Sequence, residues 1–332
     1  MKALAIRRYN APMEMMELTR PEPGQGELLV RVRAAGVNPL DYKIRDGAVK
    51  VLLPFSFPLI LGTDLAGDVA VTGPGVTKFK RGDAVYSRLD NDRIGAFAEY
   101  AVVRESAAAT KPARLDYLEA ASLPLVGLTA WQTLIELAQL RAGQKVLIHA
   151  GSGGVGTVAI QLAKHLGAQV ATTTSGKNHA LVKSLGADLV IDYRTTRFEA
   201  VVKDQDVVLD TQGGDTLLRS FDVVKPGGVV VTIGGRPDGK FARAWGLSLP
   251  LVWILSFLNR KVDRLARTRG VRFEYLFMHA SGEQLERLGA LVDQGVVEPV
   301  VDRIFPFDAA AEAISYVESG RAVGKVVIRV AD

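Results

Sequence analysis

The chain has no cysteine among its 332 residues, which excludes disulfides, thiolate nucleophiles, cysteine-ligated zinc and iron–sulfur clusters. Histidine is also scarce, and the four that occur are not spaced as metal ligands usually are: His149, His165, His179 and His279. No long apolar run is present either, because the stretch 245–258 is too short to span a bilayer and contains Pro250. The sequence opens on a strand-like pattern instead of a charged segment followed by an apolar one. We therefore expect no signal peptide and a cytoplasmic protein.

The net charge of +5 comes from one segment of the chain. Between Arg236 and Arg272 there are nine basic residues and two acidic ones, so this segment carries +7 and the remainder is close to −2. A protein that binds nucleic acid through its whole surface has basic residues distributed more widely. We therefore expect no nucleic-acid partner.

The distribution of glycine, proline and apolar residues predicts two domains of an α/β protein. Up to about residue 123, short strand patterns alternate with Gly/Pro turns, which is typical of a compact barrel-like domain. Beyond it, short apolar strands alternate with helices, which predicts a buried parallel sheet with helices on both faces. A final helix at 309–318 and strand at 325–330 are expected to return to the first domain. The predicted domains are 1–123 with 300–332, and 124–299.

A glycine-rich loop follows the strand pattern Lys145–Ala150 and reads Gly151-Ser152-Gly153-Gly154-Val155-Gly156. Its glycines fit G-x-G-x-x-G between a strand and a helix, the context that dinucleotide binding requires. The first glycine permits the tight turn, the second the approach of a pyrophosphate, and the third close packing of the helix. The helix N-terminus then offers free N–H groups to the phosphates. The alternative is a glycine-rich turn without a ligand.

The end of the next strand distinguishes the two nicotinamide cofactors. NAD sites usually place an acid there for the ribose 2′-hydroxyl, but this strand ends in Thr173-Thr174-Ser175-Gly176-Lys177-Asn178. An ammonium with neighbouring hydroxyls suits a 2′-phosphate. Ser175 and Lys177 therefore favour NADP, the alternative being a solvated turn with ordinary helix-capping residues.

Several motifs together resemble one superfamily over nearly the whole chain. They include Gly36-Val37-Asn38-Pro39-Leu40-Asp41-Tyr42-Lys43, Gly62-Thr63-Asp64-Leu65-Ala66-Gly67, the Gly151 loop, Ser184-Leu185-Gly186-Ala187-Asp188 and Gly324-Lys325-Val326-Val327-Ile328. The chain resembles the zinc-independent medium-chain dehydrogenases/reductases. Within them it is most similar to the quinone oxidoreductases and the NADPH-dependent enone, or 2-alkenal, reductases. The resemblance implies a GroES-like β-rich catalytic domain made from both chain ends, a doubly wound Rossmann domain, and a homodimer.

The resemblance also identifies where zinc-dependent relatives bind their metal. Those alcohol dehydrogenases have a cysteine where Asn38 stands and a His-Glu pair where Thr63 and Asp64 stand. Neither is kept, so no metal site is expected. Without a metal, little polarises an alcohol oxygen. The remaining chemistry is hydride transfer to an electron-poor acceptor such as an enone, an alkenal or a quinone.

The resemblance assigns candidate roles residue by residue. Lys43 is expected to contact the cofactor ribose and the substrate carbonyl, and Tyr42 to be a substrate wall or a proton donor. The alternatives are a surface charge for Lys43 and simple packing for Tyr42. The residues expected to bind the cofactor are Asn38, Lys43, Thr129, Ser152, Gly153, Gly154, Val155, Ser175, Lys177, Tyr193, Ile233, Phe277, Met278 and Lys325.

Some alternatives remain open at the level of the sequence. A quinone reductase, a nucleotide-binding sensor or scaffold with little catalysis, and an enoyl-thioester reductase all fit the same motifs. The apolar stretch Trp245–Leu258 and its basic continuation to Arg272 fit three interpretations: a buried helix, a wall of the substrate pocket, or contact with an anionic membrane surface. Membrane contact ranks third among these.

Overall fold

A computed structural model describes residues 1–331 and divides the chain into two compact units. The first comprises Met1–Leu128 together with the segment from Met278 onward, and the second comprises Thr129–Phe277. These boundaries differ from those predicted at 123/124 and 299/300. The helix Gly282–Asp293 belongs to the first unit, where the Tyr86 hydroxyl donates to the carbonyl oxygen of Leu285 at 2.6 Å.

The first unit is rich in strands, as its glycine and proline pattern predicts. Its strands are β1 (Lys2–Ile6), β2 (Glu14–Glu17), β3 (Glu27–Val37), β4 (Leu59–Ile60), β5 (Asp64–Thr72), β6 (Ala84–Arg88), β7 (Tyr100–Arg104), β8 (Ala108–Thr110), β15 (Val301–Pro306) and β16 (Lys325–Arg329). They form a seven-stranded sheet in the order β15-β16-β3-β5-β6-β8, with β7 also paired to β3, and a small sheet β2-β1-β4. The C-terminal strand β16 pairs antiparallel with β3, so the two ends of the chain share one sheet.

Helices also belong to this unit. They are α1 (Pro39–Arg45), α2 (Tyr117–Ala121), α9 (Gly282–Asp293) and α10 (Ala310–Glu318). Helix α1 begins directly after β3 because Pro39 supplies a pre-set φ, and the Asp41 carboxylate accepts the Asn38 N–H at 2.7 Å. Asp41 and Ile44 face inward, which leaves Lys43 on the exposed side.

The second unit contains the parallel sheet that the apolar strand pattern predicts. Its strands are β9 (Lys145–Ile148), β10 (Gln169–Thr174), β11 (Leu189–Asp192), β12 (Gln205–Asp210), β13 (Val224–Thr232) and β14 (Arg272–Tyr275). The sheet order is β11-β10-β9-β12-β13-β14, and every pairing is parallel. This is the doubly wound order in which ligands bind beyond the carboxyl ends of the strands. The predicted α/β fold class is confirmed.

Helices connect these strands. They are α4 (Gly154–His165), α5 (His179–Ser184), α6 (Gly214–Ser220), α7 (Gly239–Ala244) and α8 (Leu249–Arg269). Before them, α3 (Pro124–Trp131) is followed by a π-helical turn at Gln132–Leu137. The turn residues Pro226-Gly227-Gly228 lie within β13. The pairing shifts from Val224 opposite Gln205 to Val229 opposite Val207, so a bulge accommodates the turn.

Candidate active site

A buried lysine lies at the centre of the polar cluster in the first unit. Lys325, at the start of β16, donates from Nζ to Asn38 Oδ1 at 2.5 Å and to the Val37 carbonyl oxygen at 3.0 Å. The same ammonium lies 3.6 Å from Asp64 Oδ2, and neither side chain is more than 5% exposed. An ammonium group therefore lies among the residues where the resemblance to zinc-dependent alcohol dehydrogenases implies their metal ligands.

The neighbouring side chains surround this ammonium. Asn38 donates from Nδ2 to Asp64 Oδ2 at 2.9 Å and to Thr63 Oγ1 at 3.2 Å. The Thr63 hydroxyl in turn donates to Asp41 Oδ1 at 3.3 Å. Asn38 is only 1% exposed, and both polar atoms of its side chain have partners inside the unit. Asn38 and Lys325 were predicted to contact the cofactor. Among the described residues, these two side chains contact each other and the rest of the cluster, and their contact with the cofactor stays a prediction.

The ionisable side chains of this cluster are all buried, and burial shifts their pKa values. Burial raises the pKa of Asp41 to about 7, and the nearby Asp64 carboxylate adds to the shift. Burial also raises the pKa of Asp64 and lowers that of Lys325, while the attraction between these two groups acts in the opposite direction and supports the ion pair. Arg88, fully buried on β6, is a second cation that favours the charged form of Asp64.

The donor set does not fit a zinc ion. Amide, hydroxyl and carboxylate groups from Asn38, Thr63 and Asp64 already bind one another or the Lys325 ammonium. Zinc sites in proteins use thiolate, imidazole and carboxylate ligands. Across residues 1–331, no group of three His, Asp or Glu side chains is arranged to hold a metal ion.

The two candidate catalytic residues lie on the same short helix but outside the buried cluster. Lys43 is exposed, and Tyr42 is half-buried against the core of the first unit. Burial raises the pKa of Tyr42, so its phenol keeps its proton at neutral pH. Neither side chain hydrogen-bonds to Asn38 or Lys325 in the part of the chain that the structure describes.

The glycine loop of the second unit has the form that a pyrophosphate site requires. A Cβ at Gly151 would lie 2.1 Å from Thr172 Oγ1, and one at Gly156 would lie 2.4 Å from the Ala150 carbonyl oxygen. Both positions therefore need glycine for the turn and for packing of α4 on β9. At Gly153 the closest atom would be 3.3 Å away, so this position has more open space. The residues fit a dinucleotide phosphate.

Ser152 is the polar side chain of this loop. Its Oγ accepts hydrogen bonds from Thr174 Oγ1 at 2.8 Å and from Asn178 Nδ2 at 2.9 Å. A hydroxyl has two lone pairs and one proton, so two donors leave the proton to be given away. Ser152 is thereby oriented as a hydrogen-bond donor, the form that a phosphate oxygen accepts. Asn178 was not predicted to take part, because its position after Lys177 indicates only a helix cap.

The turn after β10 carries the residues predicted to distinguish NADP from NAD. Ser175 is buried with 5% exposure, whereas Lys177 is exposed. Tyr193 follows β11 and is 61% exposed, with the Arg194 guanidinium 5.9 Å from its ring centroid. Lys177 and Arg194 are thus two exposed cations near strand ends that adjoin in the sheet.

Sequence reasoning missed an acid at the same edge. A Cβ at Gly176 would lie 2.7 Å from Asp192 Oδ2, so the carboxylate at the end of β11 comes close to the turn. A side chain at position 176 would force this carboxylate to move. Asp192 is one strand away from the position where an NAD-type acid is expected, and for this reason the sequence pattern did not reveal it.

Asp210 and His149 form hydrogen bonds at the carboxyl ends of the central strands of the parallel sheet. Asp210, at the end of β12, accepts from Thr232 Oγ1 at 2.7 Å and from the Gly213 N–H at 3.0 Å, which joins the ends of β12 and β13. His149, directly after β9, lies between Thr173 Oγ1 and Ser220 Oγ, each 3.1 Å away. Burial lowers the pKa of His149 to about 4, so this residue is a neutral structural histidine.

The remaining predicted cofactor residues are distributed over both units. Thr129 is buried and Ile233 is half-buried directly after β13. Phe277 lies edge-on to Trp245 with the ring centroids 5.0 Å apart, and these residues all belong to the second unit. Met278 is buried in the first unit.

Comparisons with known proteins agree with this geometry. Residues 24–113 match the model of the alcohol dehydrogenase GroES-like domain, and residues 185–328 match a model described as zinc-binding dehydrogenase. The chain is 36% identical to the 2-methylene-furan-3-one reductase of Solanum lycopersicum, over 93% of this chain and 73% of that protein. It is 35% identical, with the same coverage, to the NADPH-dependent alkenal/one oxidoreductase of Arabidopsis thaliana. The solved quinone oxidoreductase from Coxiella burnetii superimposes with a TM-score of 0.86, at 34% identity over 99% of both chains.

Proposed function

Because the chain belongs to the zinc-independent quinone oxidoreductase family of the medium-chain dehydrogenases/reductases, we propose that it reduces activated carbon–carbon double bonds with NADPH. The substrates are small enones and alkenals, whose carbonyl group withdraws electrons from the double bond. The observation that carries the proposal is the carboxyl edge of the parallel sheet. There a glycine loop, a donor-oriented Ser152 hydroxyl and the Lys177 turn form a site for a phosphorylated dinucleotide.

NADPH suits this edge because of its extra phosphate. The N–H groups at the start of α4 and the Ser152 hydroxyl bind the pyrophosphate. Ser175 and the ammonium of Lys177 bind the 2′-phosphate, and Arg194 adds positive charge that offsets Asp192. When bound, the reduced nicotinamide supplies the hydride. The NADPH dependence named for the Arabidopsis relative supports this choice.

The first unit supplies the residues that act on the substrate, Lys43 and Tyr42. Hydride addition at the β-carbon of an enone moves the electron pair of the double bond towards the carbonyl oxygen. The Lys43 ammonium stabilises the negative charge that develops on that oxygen. A proton then adds at the α-carbon, and the protonated phenol of Tyr42 is one source of it. The buried Lys325–Asn38–Asp64 cluster holds the start of α1, which carries both residues.

The direct test is NADPH consumption with a panel of enones, alkenals and quinones. We expect turnover of enones and a fall in kcat of about tenfold to a hundredfold for Lys43→Ala, since one electrostatic contact to the developing charge is lost. Lys50→Ala removes an exposed lysine just beyond α1 and serves as the matched control. Tight NADPH binding without turnover of any acceptor would instead support a sensor or scaffold.

Quinone reduction is the second candidate. It is favoured by the similarity to the Coxiella burnetii quinone oxidoreductase over 99% of the chain. A quinone also accepts hydride without a metal, so the same residues serve both reactions. Comparison of kcat/KM for enones and quinones decides between them. We further propose a homodimer in the cytoplasm, testable by light scattering of the purified protein and by cell fractionation.

A further inference from the structure

The outward face of α8 is apolar in its first half. Leu249, Trp253 and Phe257 follow one another at intervals of four residues, so they form one row on the helix surface. They are 72%, 76% and 63% exposed, and the adjoining Ile254 and Leu258 are 53% and 47% exposed. Trp253 and Phe257 alone leave on the order of 300 Å² of ring surface in water, comparable to the largest apolar patch on a typical soluble monomer.

The exposure of this face does not come from a detached helix. The opposite face of α8 is buried through Val252, Val262 and Ala266. Asn259 donates from Nδ2 to the Pro237 carbonyl oxygen at 2.7 Å, which holds the middle of the helix. The buried-helix interpretation of this segment therefore applies to one face only, and the outward apolar row lies on a helix whose other face is packed.

The same outward face becomes basic in the second half of the helix. The row of Leu249, Trp253 and Phe257 continues at helical spacing into exposed Arg260, Arg264 and Arg267, with Lys261 beside them. The Arg260 guanidinium lies 4.0 Å from the Phe257 ring centroid, at the junction of the two halves. Within residues 1–331, no carboxylate forms an ion pair with any of these four basic side chains.

We propose that this face docks on the anionic phospholipid surface of a membrane. The apolar rings enter the boundary between headgroups and acyl chains, and the four cations bind the lipid phosphates and carboxylates. The contact is peripheral. None of the helices described between residues 1 and 331 combines the length and the apolar character that crossing a bilayer requires.

The basic half of this face complements the charge of an anionic lipid surface better than that of a second copy of the chain. A protein partner on this face would have to bring carboxylates opposite four cations that form no ion pair within residues 1–331, directly beside an apolar patch. Helix α8 itself contains a single acid, Asp263, which is half-buried, so two copies joined through this face offer each other no such carboxylates. An anionic leaflet presents negative headgroups above an apolar layer, in the arrangement that the helix requires.

The test is flotation of the full-length protein with phosphatidylcholine vesicles, with and without phosphatidylserine. We expect binding to the anionic vesicles only, weakened by added salt. Each basic residue near such a surface strengthens binding about fivefold, so Arg260→Glu/Lys261→Glu/Arg264→Glu should weaken it by about a hundredfold or more. Trp253→Ser/Phe257→Ser should weaken vesicle binding as well, because less apolar surface then enters the membrane.

The matched control for charge is Lys78→Glu/Lys80→Glu/Arg81→Glu, three exposed basic residues on the first unit, which should leave vesicle binding unchanged. Circular dichroism and NADPH binding report whether each variant is folded. Absence of wild-type binding to anionic vesicles at low salt would overturn the proposal. So would a wild-type dimer that Trp253→Ser/Phe257→Ser converts to monomer, because a second copy would then cover the face.

Discussion

Replacement of Lys325 by methionine tests the buried ammonium most sharply. The Lys325→Met side chain fills similar space but removes the cation that lies 3.6 Å from Asp64 Oδ2. It also leaves Asn38 Oδ1 and the Val37 carbonyl oxygen without their donor. Loss of one partner of a buried ion pair costs about 3–5 kcal/mol, a large part of the 5–15 kcal/mol that stabilises a typical protein.

The assay can separate the two units. The three tryptophans, Trp131, Trp245 and Trp253, all lie in the second unit, so their fluorescence follows that unit alone. Hydrogen exchange measured by mass spectrometry on peptides from β3 and β16 follows the first unit. We expect Lys325→Met to lower the protection of these peptides by about 3–5 kcal/mol, while the tryptophan transition moves little.

A second lysine–aspartate pair provides the matched control. Lys164 Nζ lies 2.9 Å from Asp188 Oδ1, closer than the buried pair, but both side chains are at least 35% exposed. Lys164→Met should therefore cost no more than about 1 kcal/mol. Adding Asp64→Asn to Lys325→Met removes the unpaired charge and should recover part of the loss. If Lys325→Met is as stable as the wild type, the buried ion pair of Lys325 and Asp64 does not stabilise the first unit.

Three further results are expected. Lys177→Ala should weaken NADPH binding at least about tenfold and leave NADH binding unchanged, because only NADPH offers the 2′-phosphate. Calorimetry measures the affinity for both cofactors, and Lys183→Ala is the control. Equal losses of affinity for the two cofactors would show that Lys177 does not bind the 2′-phosphate. Asn178→Ala removes one hydrogen-bond donor to Ser152 and should weaken the binding of both cofactors about fivefold, equivalent to roughly 1 kcal/mol. If only NADPH binding were weakened, Ser152 would not be a ligand of the pyrophosphate, which both cofactors share. His149, with its pKa lowered to about 4 from 6.5, contributes stability that is present above pH 6.5 and is lost as the pH falls towards 4. The stability difference between wild type and His149→Asn should shrink over this window, as measured by urea unfolding, whereas a constant difference would mean that His149 is not buried as the neutral form. Taking this difference removes the contribution of Asp41, whose raised pKa acts in the opposite direction.

The features that the sequence predicts correctly are local ones. The order of β9, the glycine loop and α4 follows from glycine spacing and from an apolar strand, which act within about a dozen residues. The parallel sheet follows from repeated short apolar strands. These patterns act through backbone geometry and burial, so neighbouring residues are sufficient to reveal them.

The features that the sequence did not predict depend on distant contacts. Lys325 and Asn38 are 287 positions apart, and only the pairing of β16 with β3 brings them together. The periodicity of α9 indicates a buried face but not the unit against which it packs. Asp192 belongs to a neighbouring strand, and its carboxylate comes close to Gly176 only through the pairing of β10 with β11.

NADPH is expected to deliver a hydride to an electron-poor carbon without the help of a metal. The most direct measurement is the reaction of chelator-treated protein with NADPH deuterated at the transferable position of C4, followed by mass spectrometry of the product from an enone. We predict one deuterium at the β-carbon, at a rate that the chelator does not change. Metal-free hydride transfer would be contradicted if no label reached the enone product and no NADPH were consumed in the presence of quinones. It would also be contradicted by turnover that appears only when zinc is restored.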